Sequence, residues 1–200
     1  MSPRTILITG ANRGIGFGLT KTFLEVEDVE IVLAGCRNPE KAEELHKITN
    51  PKLHVIQLEV SDDASIQKAV GEVGKIVGDK GLNILINNAG VHIPYKTTQE
   101  KPSRADLTPQ FDVNVCSVIL VSQFFLPLIR RAAADKKIIN ISSGQGSIGD
   151  NTTGSGHLQN MAYKATKIEE CMADLVPSIL KVTKEHNGGY FDKKMQKVNY

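Results

Sequence analysis

Residues 5–16 read TILITGANRGIG, an apolar run that leads directly into glycines spaced as G-x-x-x-G-x-G. Apolar side chains at helical spacing follow over residues 14–26, so the stretch predicts a buried strand, a tight turn and a helix. Gly10, Gly14 and Gly16 lie at the turn. A pyrophosphate binds to backbone N–H groups at a helix N-terminus where no side chain blocks its approach. The turn therefore predicts a nucleotide-phosphate site, with a tight turn that binds no ligand as the alternative.

Strand-like and helix-like segments alternate along the rest of the chain. Apolar runs bounded by turn residues predict further strands at 30–35, 53–58, 82–87 and 137–142. Helical spacing predicts helices at 39–45, 61–77 and about 105–134, the last with an apolar face made of Phe111, Val115, Val118, Val121, Phe125 and Leu128. Because continuously apolar strands alternate with helices, we predict an α/β fold with a doubly wound parallel sheet. No internal linker or repeat interrupts the pattern, so we predict a single domain over residues 1–200.

The composition narrows the classes of partner and compartment. The 24 basic and 22 acidic side chains give a net charge of +2 and are mixed along the chain, so we expect no nucleic-acid partner. No apolar run reaches the roughly 20 residues of a membrane span, and we expect no membrane partner and a cytoplasmic location. Cys36, Cys116 and Cys171 lack the paired spacing of a zinc site, so we expect reduced thiols and no metal.

Three further motifs occur downstream of the glycine turn. They are Asn87-Asn88-Ala89-Gly90 after the fourth predicted strand, Asn140-Ile141-Ser142-Ser143 after the fifth, and Tyr163-Lys164-Ala165-Thr166-Lys167. With the glycine turn, they resemble the short-chain dehydrogenase/reductase family, whose marks are T-G-x-x-x-G-x-G, N-N-A-G, a serine and Y-x-x-x-K. The match extends over residues 5–167, and its finer pattern is similar to the sniffer-type and C-factor-like carbonyl reductases. The resemblance implies a Rossmann fold and NADPH-dependent reduction of a ketone or aldehyde to an alcohol.

The resemblance assigns catalytic roles to Tyr163, Lys167 and Asn114. Tyr163 and Lys167 are four positions apart and share a face if their segment is helical. A tyrosine ordinarily has a pKa of about 10, which a nearby ammonium lowers. Tyr163 then corresponds to the family's general acid, and Lys167 to its electrostatic partner and ribose ligand. Asn114 matches the helix asparagine that holds a water linking the lysine to solvent.

A serine hydroxyl polarises the substrate carbonyl in the family. Ser143 fits this role best, and Ser142 and Ser147 remain alternatives. Ser143 lies 20 positions before Tyr163, which is longer than the common family spacing, and an inserted Gly-rich loop at 144–157 accounts for the difference. Three side chains are further candidates for substrate contact, with ordinary surface positions as the alternative: His92, Tyr95 and His157.

The residues after the second predicted strand indicate which cofactor binds. An acidic residue there would bind the 2′-hydroxyl of NAD, but the sequence has Gly35-Cys36-Arg37. Arg37, helped by Arg13, could hold a 2′-phosphate, so we expect NADP(H) rather than NAD(H); two solvated turn arginines are the alternative. Glu59 stands where the family usually has an aspartate near the adenine. The resemblance implies these cofactor-binding residues: Gly10, Asn12, Arg13, Gly14, Ile15, Gly16, Arg37, Glu59, Val60, Asn88, Ala89, Gly90, Tyr163 and Lys167.

The chain departs from the family pattern after Lys167. In the family the tyrosine helix continues into a sixth strand and a substrate-covering loop, whereas residues 168–200 resemble later family segments. We therefore expect the fold to lack one strand-helix crossover, about 30 residues long. Apolar side chains at helical spacing predict one fused helix over about 158–182, bent near Pro177. We interpret the chain as a shortened isoform or an imperfect gene model.

Two hypotheses of function follow. The motif set indicates an NADPH-dependent carbonyl reductase that acts on a small-molecule carbonyl substrate. The missing crossover indicates instead a nucleotide-binding but catalytically inactive shortened isoform. The oligomeric state stays open between monomer and homodimer, since family members often dimerise through the tyrosine helix and its neighbour, and the tyrosine helix is the one altered here.

Overall fold

The computed structural model describes residues 4–91, 104–142 and 196 of the 200-residue chain. Internal contacts divide the chain into two units, Met1–Asn140 and Ile141–Tyr200. All strands and helices among the described residues belong to the first unit. The single domain expected over residues 1–200 stays a prediction.

Five parallel strands form one sheet in the described part of the chain. They are β1 (Arg4–Thr9), β2 (Val29–Cys36), β3 (Leu53–Gln57), β4 (Ile84–Asn87) and β5 (Lys137–Asn140), within two residues of the predicted bounds. Their order across the sheet is β3-β2-β1-β4-β5. Leu7 of β1 lies beside Leu33 of β2 and Leu85 of β4. The chain order therefore reverses at β1, and ligands of doubly wound sheets bind at such a reversal.

Five α-helices accompany these strands within residues 4–91 and 104–142. They are α1 (Gly14–Glu25), α2 (Glu43–His46), α3 (Asp63–Val77), α4 (Arg104–Phe111) and α5 (Ser117–Arg131), with 3₁₀ turns at Pro39–Lys41 and Gly78–Lys80 and a π-helical segment at Asp112–Cys116. The Asp62 carboxylate caps α3 by accepting the N–H groups of Ala64 and Ser65 at 2.9 and 3.3 Å. Before β4, Gly81 has a φ of +69°, and a Cβ there would lie 2.5 Å from the Ala132 nitrogen.

The two faces of the sheet carry different helices. On one face α1 contacts β1 and β2 and buries Leu19 and Phe23. On the other, α3 and α5 share a core with alternate strand residues, which point to that face. This core includes Leu7, Leu33, Ile56, Leu85, Ile66, Val73, Val121, Phe125 and Leu128. The predicted doubly wound parallel α/β sheet of the Rossmann type is thus confirmed. The junction after Lys167, where we expect one crossover to be missing, lies outside the described residues.

The predicted helix over residues 39–45 is divided in two. Ala42 separates the 3₁₀ turn from α2 because its φ and ψ of −88° and 56° are not helical. Ala42 and Leu45 are both buried, at 2% and 1% exposure. The break therefore lets two apolar side chains of a short segment reach the core.

The predicted continuous helix over about 105–134 is divided by the π-helical segment. Val121, Phe125 and Leu128 are buried, but Phe111 and Val115 are 63% and 40% exposed. A π-helical turn adds a residue and so rotates the preceding side chains relative to the following ones. The prediction of one apolar face is therefore wrong for Phe111 and Val115.

The stretch Thr108–Arg131 is long and apolar enough to span a membrane, judged by length and composition alone. This differs from the expectation that no run would reach that length. Core helices of soluble proteins meet the same criteria, and α5 packs Val121, Phe125 and Ile129 into the core shared with α3. One helix of this kind is weak support for a membrane span.

Candidate cofactor and active site

The loop between β1 and α1 leaves a helix N-terminus open to an anion. Gly10 and Gly14 have φ angles of +65° and +57°, and α1 begins at Gly14. Arg13 makes no side-chain cap and the first turn holds no acidic residue, whereas Asp62 caps α3. A Cβ at Gly14 would meet nothing within 4 Å. These features fit a nucleotide pyrophosphate, which would bind the N–H groups at the start of α1 that no side chain among the described residues caps.

Close packing explains the glycines at the two ends of this loop. A Cβ at Gly16 would lie 2.3 Å from the Gly10 carbonyl oxygen and 2.5 Å from Asn88 Nδ2. A Cβ at Gly10 would lie 2.9 Å from the Cα of Ala89. Backbone atoms cannot move aside as a flexible side chain can, so both positions require glycine. The loop is thus held against the turn after β4.

Hydrogen bonds of Thr9 and Asn88 join the loop to that turn. The Thr9 hydroxyl oxygen accepts the N–H groups of Asn88 and Ala89 at 3.0 and 2.9 Å. Asn88 Nδ2 donates to the carbonyl oxygens of Thr9 and Gly10 at 2.9 and 3.2 Å. Thr9 is the first residue of the T-G-x-x-x-G-x-G pattern, but sequence reasoning assigned it no separate role, although a hydroxyl at the end of a buried strand, just before the first glycine, is a usable signal.

The remaining predicted residues of the loop lie beside the open N-terminus. Asn12 and Ile15 are half-buried and Arg13 is exposed. The N–H of Ala11 donates to the Gly35 carbonyl oxygen at 2.9 Å. The loop is therefore anchored to β2 as well as to the turn after β4.

A second group of predicted residues lies at an open cleft beyond β2 and β3. Arg37 directly follows β2, Glu59 lies two residues after β3, and Arg37 Nε is 3.5 Å from Glu59 Oε2. Val60 is only 7% exposed and packs in the core instead. The cleft has a volume of about 480 Å³ and is lined by Arg37, Asn38, Gln57, Glu59, Asp62, Ala64, Ser65 and Lys68. Sequence reasoning missed Lys68, whose only signal is its place one turn after the start of α3.

Cys36 lies directly before Arg37 and is 2% exposed. Burial, and secondarily the Glu40 carboxylate, raises the pKa of its thiol above the ordinary value. A protonated, buried thiol is a poor nucleophile and a poor metal ligand. Over residues 4–91, 104–142 and 196, no three His, Cys, Asp or Glu side chains come together as a metal site.

Asn114 lies in the π-helical segment between α4 and α5. Its Oδ1 accepts the N–H of Val91, and its Nδ2 donates to the Val91 carbonyl oxygen, both at 2.9 Å. The Asn114 side chain thus joins the segment to Val91, the residue after Gly90. π-helical segments are frequent at functional sites. The role of Asn114 in holding a water stays a prediction.

Asn87 links the carboxyl ends of β4 and β5 to α5. Its Nδ2 donates to Asn140 Oδ1 at 2.9 Å and to Ser122 Oγ at 3.0 Å. Asn87 and Asn140 are also register partners in the sheet. The bridge therefore fixes the end of β5, two residues before Ser142 in sequence. Sequence reasoning missed this bridge, for which the first asparagine of the N-N-A-G motif is the available signal.

The other predicted catalytic residues, Ser143, Tyr163 and Lys167, lie outside the described residues. The same holds for the other candidates Ser147, His92, Tyr95 and His157. Ser142 is described and is exposed. The structure therefore brings together the predicted phosphate loop, the Asn88–Gly90 turn and Asn114, and it places Arg37 and Glu59 at the same edge of the sheet.

Comparisons with solved structures agree with this architecture. The Sniffer protein of Caenorhabditis elegans is 35% identical, with a TM-score of 0.88 and 100% of both chains covered. The NADPH-bound carbonyl reductase from chicken fatty liver is 28% identical, with a TM-score of 0.86 and 100% of both chains covered. Carbonyl reductase Sniffer of D. melanogaster is 25% identical, with a TM-score of 0.86 and 98% and 99% of the two chains covered.

Curated relatives and a family model point the same way. Human retinol dehydrogenase 16 is 35% identical over 143 residues, which cover 72% of this chain and 44% of the relative. A short-chain dehydrogenase of Penicillium roqueforti (strain FM164) is 35% identical over 149 residues, which cover 72% of this chain and 57% of the relative. The chain thus spans about half the length of these curated relatives. The short chain dehydrogenase family model matches residues 4–172, and the chain therefore belongs to the short chain dehydrogenase family.

Proposed function

We propose that this chain is an NADPH-dependent reductase that converts a ketone or aldehyde into an alcohol. The observation that carries the proposal is the uncapped N-terminus of α1, which suits a dinucleotide pyrophosphate. Likeness to the NADPH-bound carbonyl reductase from chicken fatty liver supports the cofactor and the substrate class.

Residues around the ends of β1 and β2 would hold the cofactor. The N–H groups at the start of α1 would bind the pyrophosphate, with Gly14 leaving the approach open. Arg37 would bind a 2′-phosphate through charge-assisted hydrogen bonds, and no acidic residue takes its place to bind a 2′-hydroxyl instead. Arg13 is exposed at the loop and adds a second cation. When bound, NADPH supplies the hydride that adds to the carbonyl carbon.

The proton and the orientation of the substrate would come from the chain. Tyr163 would donate its hydroxyl proton to the carbonyl oxygen, and Lys167 would stabilise the resulting phenolate. Ser143 would donate a hydrogen bond to the same oxygen and so fix the carbonyl. Asn114 would act as a positioning residue, because it joins the helical segment to the turn after β4.

NADPH oxidation by the full chain, measured over a panel of aldehydes and ketones, tests the proposal. Tyr163→Phe removes the proton donor and is expected to lower kcat by about 100-fold or more. Tyr200→Phe makes the same chemical change at the last residue and serves as the matched control, with unchanged kcat. Cofactor affinity, from quenching or enhancement of NADPH fluorescence, is measured in parallel.

The outcomes separate the two hypotheses of function. Turnover that depends on Tyr163 but not on Tyr200 supports carbonyl reduction. NADPH binding without turnover of any carbonyl would support the catalytically inactive alternative. Equal turnover by the wild-type chain and Tyr163→Phe would overturn the assignment of Tyr163 as proton donor.

A further inference from the structure

Arg37, the residue proposed to bind the 2′-phosphate, forms an ion pair with the carboxylate of Glu59. Arg37 Nε lies 3.5 Å from Glu59 Oε2, and the side chains are 74% and 26% exposed. The arginine therefore stands largely in solvent, while the carboxylate is mostly covered. A 2′-phosphate that binds Arg37 would meet this carboxylate as its nearest competitor.

Glu59 is held in place by Ser61, which precedes α3, and by Ser65 of α3, and not by Arg37 alone. Its Oε1 accepts the hydroxyl of Ser61 at 2.9 Å and the N–H of Ser61 at 3.3 Å. Its own N–H donates to Ser65 Oγ at 2.9 Å. Because Ser61 holds Oε1, the other carboxylate oxygen, Oε2, faces Arg37.

The charged side chains that line the cleft balance one another when Glu59 is included. Asp62 uses its carboxylate to cap α3, and Lys68 Nζ lies 3.5 Å from Gln57 Oε1. The two cations, Arg37 and Lys68, are therefore matched by two carboxylates among the residues that line the cleft. Removal of the Glu59 charge would leave the cleft with a net positive charge.

We propose that Glu59 competes with the cofactor's 2′-phosphate for Arg37 and thereby weakens the chain's preference for NADPH over NADH. This inference rests on the proposed function, since it concerns the same cofactor. The carboxylate pairs with the guanidinium, and a 2′-phosphate must displace it in order to pair with Arg37. Because Arg37 is exposed, its ion pair with Glu59 is weak. The carboxylate therefore lowers the affinity for the phosphate but does not exclude it.

The test compares Glu59→Gln with Glu72→Gln. Glutamine keeps the shape of Glu59 and an acceptor oxygen for Ser61, so the fold of the cleft is retained. Glu72 is an exposed residue of α3 that does not line the cleft, and Glu72→Gln makes the same change of net charge. Fluorescence titrations give Kd for NADPH and for NADH at low and at high salt.

Glu59→Gln is expected to raise the ratio of Kd(NADH) to Kd(NADPH) by about two- to fivefold at low salt, and by less at high salt. Glu72→Gln should leave the ratio unchanged. In an Arg37→Gln background, Glu59→Gln should no longer raise it, because the proposed competition acts through Arg37. An unchanged ratio in Glu59→Gln, or an equal rise in the Arg37→Gln background, would overturn the inference.

Arg37→Gln alone separates this inference from the proposed cofactor. If Arg37→Gln lowers the ratio while Glu59→Gln leaves it unchanged, the assignment of NADPH stands and the competition is refuted. If the wild-type chain binds no NADPH, both the proposed function and the competition are refuted.

Discussion

Asn88 Nδ2 lies 3.2 Å from the carbonyl oxygen of Gly10, so a side chain that follows β4 completes the loop that follows β1. The same nitrogen lies 2.9 Å from the Thr9 carbonyl oxygen. The amide therefore binds two consecutive carbonyl groups at the place where β1 and β4 are neighbours. The shape of the phosphate loop thus depends on a residue 78 positions away in the chain.

Asn88→Ala is expected to lower the free energy of unfolding by about 1–3 kcal/mol, because two partly buried carbonyl groups lose a donor. Asn88→Asp should cost more, since a carboxylate has no donor and would face both carbonyl oxygens. Urea denaturation measures both values, and NADPH titration should show weaker binding in the same order. Wild-type stability in the aspartate variant would refute the hydrogen-bonding role of this amide.

Gly16→Ala should distort the phosphate loop, because the new Cβ would overlap the Gly10 carbonyl oxygen, 2.3 Å away. We expect a loss of about 1–3 kcal/mol in the free energy of unfolding and a marked loss of NADPH affinity. Urea denaturation and NADPH titration measure the two effects.

Gly71→Ala is the matched control for this change. Gly71 lies on α3, where a Cβ would meet nothing within 4 Å, so alanine there should stabilise the chain by about 0.5–1 kcal/mol through helix propensity. Equal stabilities of the two alanine variants would contradict the packing argument for Gly16.

The fold could be predicted because its signals are local. The segment TILITGANRGIG contains a buried strand, a turn with two glycines at positive φ and a helix start, each determined within a few residues. The strands were found within two residues because each is a continuous apolar run bounded by turn residues. Asn88 and Asn114 could be picked out only through the family resemblance.

The features that sequence reasoning missed depend on contacts between distant residues. Thr9 acts through Asn88 and Ala89, and its hydroxyl bonds them from about 80 positions away. No local pattern pairs Arg37 with Glu59, since β2 and β3 must first lie side by side. The π-helical segment leaves Phe111 and Val115 exposed although their spacing is regular, because helical periodicity assumes a constant number of residues per turn.

Asn83→Ala should destabilise the fold without affecting the cofactor site. Asn83 is 5% exposed; its Oδ1 accepts the Thr5 N–H at 3.0 Å and its Nδ2 donates to the Ala134 carbonyl oxygen at 2.7 Å. Loss of both partners should cost about 2–4 kcal/mol in urea denaturation. Kd for NADPH, corrected for the fraction of folded protein, should stay within about twofold of the wild-type value. The reason is that Asn83 precedes β4, whereas the phosphate loop lies at the opposite ends of the strands.

Asn50→Ala provides the comparison for Asn83. Asn50 Oδ1 accepts the N–H of Lys52 at 3.0 Å in a partly exposed turn, and the loss of this bond should cost about 1 kcal/mol or less. A similar loss in the free energy of unfolding for both variants would mean that burial does not determine how much these hydrogen bonds stabilise the fold.

The buried thiol of Cys36 should make stability fall at alkaline pH. Its pKa is raised in the folded chain, so its contribution is complete below the pKa of the unfolded thiol, about 8.5, and is lost as the pH rises through the folded-state pKa. Urea denaturation at about pH 7 and about pH 9.5 should show a smaller decline for Cys36→Ala than for the wild-type chain. An unchanged decline in Cys36→Ala would contradict the raised pKa.

Asn114→Ala should reduce turnover more than cofactor binding. It removes both bonds to Val91, and misplacement of the helical segment is expected to lower kcat by about 10- to 100-fold. Kd for NADPH should change less than about twofold, because the phosphate loop is held by Thr9 and Asn88 instead. Asn114→Asp keeps the acceptor for the Val91 N–H but loses the donor, so its kcat should lie between those of the wild-type chain and Asn114→Ala. Gln123→Ala, an exposed change on α5, is the control; if it lowered kcat as much, the loss would belong to the helix as a whole and not to the Asn114–Val91 pair.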